Sequence, residues 1–447
     1  MAVILLGIAV SVLDGTVVNL ALPSIVKDLH STASQSVWVV NAYQLATLAL
    51  LLPLATMGDR IGYRRVYLSG VAVFTVASAL CSLAPSLPAL ALARAVQGAG
   101  AAGMMSVNAA LVRLTYPSEQ LGRGIAINSV VVATASVAGP AIAAAVLSVA
   151  QWPWLFAVNV PLGILLLAFG VRVLPHNVVA GAARGRLSLL DVVLNGGMFS
   201  LLFLGADMLG VRAGQAADPG ALLTGAGLIG GAVVIGAVHV RRQLGQARPL
   251  LPLDLLRIRI FRLSMATSVC AFCAQTLAYI GLPFLLLDVW QLTTVQGGLL
   301  MACWPAGVIV AASQAGRLIG RHSGGLLGAI GLGVLSLGLV LLTEAAMHAE
   351  PPSLWWRLLV CGLGFGLFQS PNNHTIITSA PAQRSGAASG MLGTARLTGQ
   401  SLGAVCIAAV FAFASAHHGR GPLVALALAA CFAGAAAVFS GLRVRQA

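Results

Sequence analysis

Two residues stand out as able to do chemistry. Asp14 and Arg94 each carry a charge inside a long apolar run. A carboxylate at mid-membrane depth costs about 2.5–3.5 kcal/mol, so something must offset Asp14. At 1.5 Å per helical residue, Asp14 lies roughly 12 Å, and Arg94 roughly 8 Å, from the same end of their runs. Two opposite charges at similar depth could share one water-filled hollow. Low-dielectric surroundings favour the neutral carboxyl, and a guanidinium favours the carboxylate. A group balanced between them can take up a proton near neutral pH or, deprotonated, hold a cationic molecule, so that proton and cargo compete. The bland alternative is an ion pair in which Arg94 locks Asp14 structurally.

Other polar residues interrupt apolar runs. Arg396 could line a cavity, or bond backbone carbonyls and snorkel. Asn372, Asn373 and His374 are candidates for a cavity wall or for hydrogen bonds between helices. Tyr43, Gln44, Trp38, Gln275, Tyr279 and Trp304 could form an aromatic and polar wall for flat or cationic ligands, although packing also explains such residues. Asn19 and Gln97 join the cavity candidates. Asp207 and Glu344 sit near run ends, and Asp288 echoes Asp28 as a structural cap. The seven cysteines fall in apolar runs, and the Cys270–Cys273 spacing has no second pair or histidine cluster to make a metal site. An intramembrane enzyme would need a nucleophile with a base, or metal ligands, at one depth; no such clustering is present, so no enzyme and no cofactor are expected.

These residues must be positioned by membrane helices. Of 447 residues, 59% are hydrophobic and 8% charged, too few charges to cover a soluble surface. Mean hydropathy is +0.95. Apolar runs long enough to cross the bilayer fall near 2–22, 36–57, 66–84, 89–113, 124–150, 152–174, 189–210, 220–239, 261–287, 296–315, 325–347, 354–377, 388–414 and 422–442. They predict an all-α polytopic membrane protein of 14 transmembrane helices. The runs do not alternate polar and apolar residues, which excludes a β-barrel. Ala2–Leu22 lacks a basic leader and reads as a retained span. With both termini cytoplasmic, 19 of the 25 basic residues lie in inner loops, including Arg184, Arg186, Arg248 and Arg445. Lys27, Arg212, Arg357 and Arg420 lie outside. The net charge of +14 therefore reflects membrane topology rather than nucleic-acid binding.

An internal repeat organises the runs. "ALPSIVKDL" at Ala21 resembles "GLPFLLLDV" at Gly281, Gly98 matches Gly362, Asn108 matches Asn372, Gly122 matches Gly386 and Gly139 matches Gly403. The offset grows only from about 260 to 264 residues. Each copy holds six helices, and helices 7 and 8 have no counterpart. The expected plan is two six-helix bundles facing each other across a central cavity: residues 1–174, an inserted pair within 175–260, and residues 261–447.

Several motifs carry a resemblance. "LDGTVVNLALP" (Leu13–Pro23) resembles the first-helix signature of the 14-helix drug:proton antiporters of the major facilitator superfamily. "MGDRIGYRR" (Met57–Arg65) looks like the superfamily's loop between helices 2 and 3, although Ala55 stands where glycine is usual. "LALARAVQGAGAA" (Leu90–Ala102) is similar to the fourth-helix motif. "AGPAIAA" (Ala138–Ala144) keeps Gly139–Pro140 of the helix-bending fifth-helix motif, with alanine at positions 135, 143 and 144. "WLFAVNVPLG" fits helix 6, and "FGLFQSPNN" and "TARLTGQSLG" fit helices 12 and 13.

The resemblance implies a multi-pass inner-membrane exporter of bacteria that exchanges protons for amphipathic, chiefly cationic, drug-like molecules, works as a monomer and draws on the proton gradient. A neutral or anionic cargo is the runner-up, encouraged by Arg94 and Arg396, and a non-transporting sensor of the same fold is a further alternative. The resemblance also implies a cytoplasmic gate built from Asp59, Arg60, Gly62, Arg64 and Arg65. Asp59 would bond a neighbouring helix end and a basic partner, with Arg113 the candidate.

Overall fold

A computed structural model of the chain describes all residues except 32, 177–187, 212–218, 245–251, 293, 320, 349–353, 414–419 and 445–447. The expected loop charges Arg184, Arg186, Arg212, Arg248 and Arg445 therefore lie outside the described residues, as do the side chains of Asn19, Pro140, Asp207 and Asp288. Hydrocarbon leaves backbone N–H and C=O groups without water, so each apolar run satisfies them internally as a helix. The helices are α1 (Ala2–Asp28), α2 (Ala33–Ile61), α3 (Tyr63–Ser82), α4 (Leu87–Thr115), α5 (Leu121–Val149) and α6 (Pro153–Val173, broken at Val158). Next come α7 (Leu189–Val211), α8 (Pro219–Leu244), α9 (Arg259–Pro283) and α10 (Thr294–Leu318), then α11 (Gly324–His348), α12 (Leu354–Ser379), α13 (Ser385–Phe413) and α14 (Arg420–Gly441). Most extend beyond their apolar runs; α1 continues to Asp28, whose carboxylate accepts a bond from Trp152 Nε1 at 3.0 Å. Met1, the α2–α3 turn, the α4–α5 turn and residue 443 share one end of the molecule, the terminal end.

The repeat is visible in the packing. α1 packs on α5 as α9 does on α13, α2 on α4 as α10 on α12, and α3 on α6 as α11 on α14. One pair of contacts shows how closely the copies match. A Cβ on Gly98 would collide with the carbonyl oxygen of Tyr43, and a Cβ on Gly362 with that of Trp304. Glycine lets α4 and α12 press directly on the backbones of α2 and α10. Tyr67 and Phe74 fill the first bundle, and Trp304, Phe365 and Phe368 the second.

The bundles meet along two related seams, α2 with α13 and α5 with α10. The inserted hairpin α7–α8 stays outside the ring: α7 lies across α2 and α13, tied by Asn195 Nδ2 donating to the Ala49 carbonyl at 2.9 Å.

Candidate functional site

Between the bundles lies a cavity of about 300 Å³. Ser11, Val12 and Thr16 of α1, Tyr43, Gln44 and Thr47 of α2, and Asn108 of α4 line it, with Asn128 and Ser136 of α5. From the second bundle come Phe272, Gln369, Asn373, Arg396 and Gln400. Among the lining residues Arg396 is the one charged side chain, and its guanidinium carbon lies 5.8 Å from the centre of the Phe272 ring. At the matching offset the first repeat carries Val132, so the two walls differ in charge. The opposite wall offers amides: Asn108 Nδ2 donates to Asn128 Oδ1 at 2.9 Å.

Asp14 and Arg94 are brought together, but away from this space. Arg94 Nη1 meets Asp14 Oδ2 at 2.5 Å, with the two side chains 0% and 1% exposed. Asp14 Oδ1 accepts from Gln97 Nε2 at 2.9 Å and from Asn159 Nδ2 of α6 at 2.7 Å. Arg94 Nε donates to the Val39 carbonyl at 3.0 Å, and Gln97 Nε2 to Ser78 Oγ at 2.9 Å. The expectation of an Asp14 open to a shared aqueous hollow is therefore corrected. Both carboxylate oxygens accept from donors on α4 or α6, and neither Asp14 nor Arg94 is part of the cavity wall, whereas Tyr43, which packs on Arg94, is. Tyr43 lines the cavity and also holds the Arg94 guanidinium 4.2 Å from its centroid. Its hydroxyl donates to the Ser11 carbonyl at 2.8 Å, which fixes the ring.

Several cavity candidates lie elsewhere. Gln97 belongs to the buried network. Trp304 is 1% exposed and packs on Tyr279, centroids 5.3 Å apart, in the core of the second bundle. Gln275 and His374 are half-buried and off the cavity wall, and Trp38 is exposed on the outer surface. Asn372 turns from the cavity. Its Nδ2 donates to Ser268 Oγ, and its Oδ1 accepts from Arg443 Nη1, each at 2.7 Å. Arg443 also donates to Ser264 and Ser440. One residue along, Asn373 does face the cavity, because neighbours on a helix point about 100° apart.

The terminal end is closed by polar contacts between the bundles. Asp59 accepts from the backbone N–H groups of Gly386 at 2.8 Å and Ala387 at 3.0 Å, at the start of α13. A carboxylate at a helix N-terminus meets unpaired N–H groups and the positive end of the helix dipole. Tyr63 donates to Asp59 Oδ1 at 2.7 Å, and Gly62, with φ 106°, makes the sharp turn that lets α3 begin there. Asp59 thus bonds a helix end. The basic partner differs from expectation: Arg113 donates to the carbonyls of Ile377 at 2.8 Å and Ala380 at 3.1 Å and to Ser385 Oγ at 3.0 Å. The carbonyls exposed where α12 ends satisfy a guanidinium as a carboxylate would. Arg64 bonds Val171 and His176 within its own bundle, Arg65 is exposed and Arg60 is half-buried.

The seam itself is tight. A Cβ on Gly386 would stand 2.8 Å from the Ala55 carbonyl, and one on Gly390 2.5 Å from the Ala55 methyl. At the related α5–α10 seam Gly122 meets Ile319, the counterpart of Asp59, so that seam closes on apolar contact. Gly139 lets α5 approach Thr16 of α1.

The residues that sequence reasoning missed are Asn159, Gln369, Gln400, Asn128 and Arg443. Asn159 had a signal, being the lone amide in the apolar run of α6.

Comparison with known proteins places this architecture. The profile described as Major Facilitator Superfamily matches residues 4–404. The chain is 49% identical to the uncharacterized transporter YebQ of Escherichia coli (strain K12), over 99% of this chain and 94% of that one. It is 30% identical to a tetracenomycin C resistance and export protein of Streptomyces glaucescens, over 91% of this chain and 74% of that one. In fold it resembles the human organic anion transporter MFSD10 (TETRAN), with a TM-score of 0.70 at 17% identity over 98% of each chain.

Proposed function

The chain belongs to the Major Facilitator Superfamily, and from that footing we propose that it exports a neutral or anionic amphipathic small molecule across the bacterial inner membrane in exchange for protons. One observation carries the choice of cargo: the charged group lining the cavity is Arg396, while Asp14 is bonded to Arg94 and is not part of the cavity wall. A cationic cargo would meet a like charge and no counter-ion; the preference for cations rested on an Asp14 open to the cavity. The apolar wall and the amides of Gln44, Gln369 and Asn373 suit an amphipathic molecule with hydrogen-bonding groups. The export direction is supported by the relative named for tetracenomycin C resistance and export.

The basic terminal end is assigned to the cytoplasm by the positive-inside rule. In this assignment Asp59 and Arg113 hold the cytoplasmic gate shut, and the cavity belongs to the outward-facing half of a rocking cycle. Asp14 is the proton site. Its neutralisation removes the charge that holds Arg94, and Tyr43 carries the change to the cavity wall. The proton gradient supplies the energy, no cofactor takes part, and one chain suffices.

The test uses everted membrane vesicles with a panel of anionic, neutral and cationic dyes and a pH-sensitive reporter. The expected result is proton efflux triggered by anionic or neutral compounds in wild type and lost in Asp14→Asn, with the protein still folded. Proton movement triggered by cations alone would overturn the cargo, and intact coupling in Asp14→Asn would overturn the proton site.

A further inference from the structure

The α2–α13 seam is shut at Gly386, Gly390 and Gly393, then parts toward the other end of the molecule. The wedge so formed holds a second chamber of about 230 Å³, bounded by Asn41, Leu48, Ser401 and Ala404, with Phe203 of the inserted helix α7 across its outer side. It shares Gln44, Leu397 and Gln400 with the central cavity, so these three side chains form the partition between the two spaces. Among the described residues, neither the Gln44 nor the Gln400 side chain is engaged by a protein hydrogen-bond partner. A primary amide can offer two donors and an acceptor, and both of these stand at a doorway between two hollows. The remaining wall is mostly apolar. Arg396 lies five residues before Ser401, roughly 7.5 Å along α13, close enough for one molecule to reach both.

We infer that Phe203 closes a lateral subsite that takes the apolar arm of the transported molecule while its polar or anionic head stays in the central cavity, so that the inserted helix α7 sets cargo shape. This rests on the cavity being the transport site. It gives α7 a task that its position outside the twelve-helix ring leaves unexplained: it walls off from lipid the part of the seam that the bundles do not close.

The test uses the full chain in lipid nanodiscs, native cysteines in place, with Ser401→Cys as reporter of the side chamber and Ser136→Cys as reporter of the central cavity. Modification by the anionic thiol reagent 2-sulfonatoethyl methanethiosulfonate is read residue by residue by mass spectrometry. The probes are butane-1-sulfonate, decane-1-sulfonate and decan-1-ol. Butane-1-sulfonate is expected to slow modification of the central reporter only, and decane-1-sulfonate to slow both. Phe203→Ala should weaken protection of the side-chamber reporter about tenfold, the loss of roughly two methylenes' worth of burial, and leave the central reporter unchanged. The inference is overturned if the thiol introduced by Ser401→Cys is inert, if both sulfonates protect it equally, or if Phe203→Ala changes nothing there. If decan-1-ol protects that thiol in a Phe203-dependent way while neither sulfonate protects either reporter, the chamber stands and the anionic cargo fails.

Discussion

The Arg94 guanidinium lies 4.2 Å from the centroid of the Tyr43 ring, and the same side chain lines the cavity. One aromatic side chain therefore touches both a buried ion pair and the space where cargo would sit. A cation over an aromatic face is attracted by about 2 kcal/mol when desolvated. Any displacement of Tyr43 by cargo is felt by Arg94, and any change in the charge of Asp14 is felt by Tyr43.

The ion pair makes a prediction about stability. Removing one partner of a buried pair leaves the other charge uncompensated, at about 3–5 kcal/mol. Asp14→Ala should lower the midpoint of thermal unfolding sharply, and Asp14→Ala with Arg94→Leu should recover most of the loss. Additive losses in this double-mutant cycle would show that the pair does not act as a unit.

Tyr43 separates geometry from chemistry. Tyr43→Phe keeps the ring and loses the bond to the Ser11 carbonyl, a loss of about 1 kcal/mol. Transport should persist at a reduced rate. Tyr43→Ala opens the pair to the cavity, and proton leak without cargo is the expected outcome, measured as dissipation of a pH gradient in proteoliposomes.

The gate is testable by distance. Asp59→Asn weakens two charge-assisted bonds to α13, each worth about 1.5–3 kcal/mol. Gly386→Ala places a methyl against Asp59 and the Ala55 carbonyl. Spin labels at the exposed positions Arg65 and Gln383 should report a longer distance in both variants, as the closed form loses population. Unchanged distances would mean that the Arg113 bonds and the apolar α5–α10 seam suffice to keep this end shut.

Much of this was legible in the sequence, and the limits have a physical cause. Hydropathy exposes the helix count because bilayer thickness sets the span length, and a nearly constant repeat offset exposes the pairing of the bundles. Asp14 and Arg94 were legible as partners because charges in hydrocarbon are rare and these two lie at similar depth. Helix rotation was not legible. Asn372 and Asn373 are adjacent and chemically identical, yet one bonds Arg443 and the other lines the cavity. Trp304 occupies the position of Tyr43 in the second repeat, but it is sealed in the core. Arg113 found helix carbonyls where an acid was expected, since both present the same acceptor atoms.

The most direct test of the account reverses one charge. Proteoliposomes carrying wild type or Arg396→Glu, energised by the same pH gradient, are assayed for accumulation of anionic fluorescein and cationic rhodamine 123. The account predicts fluorescein transport by wild type, its loss in Arg396→Glu, and a gain of rhodamine transport by the variant. Rhodamine transport by wild type that Arg396→Glu leaves unchanged would contradict it.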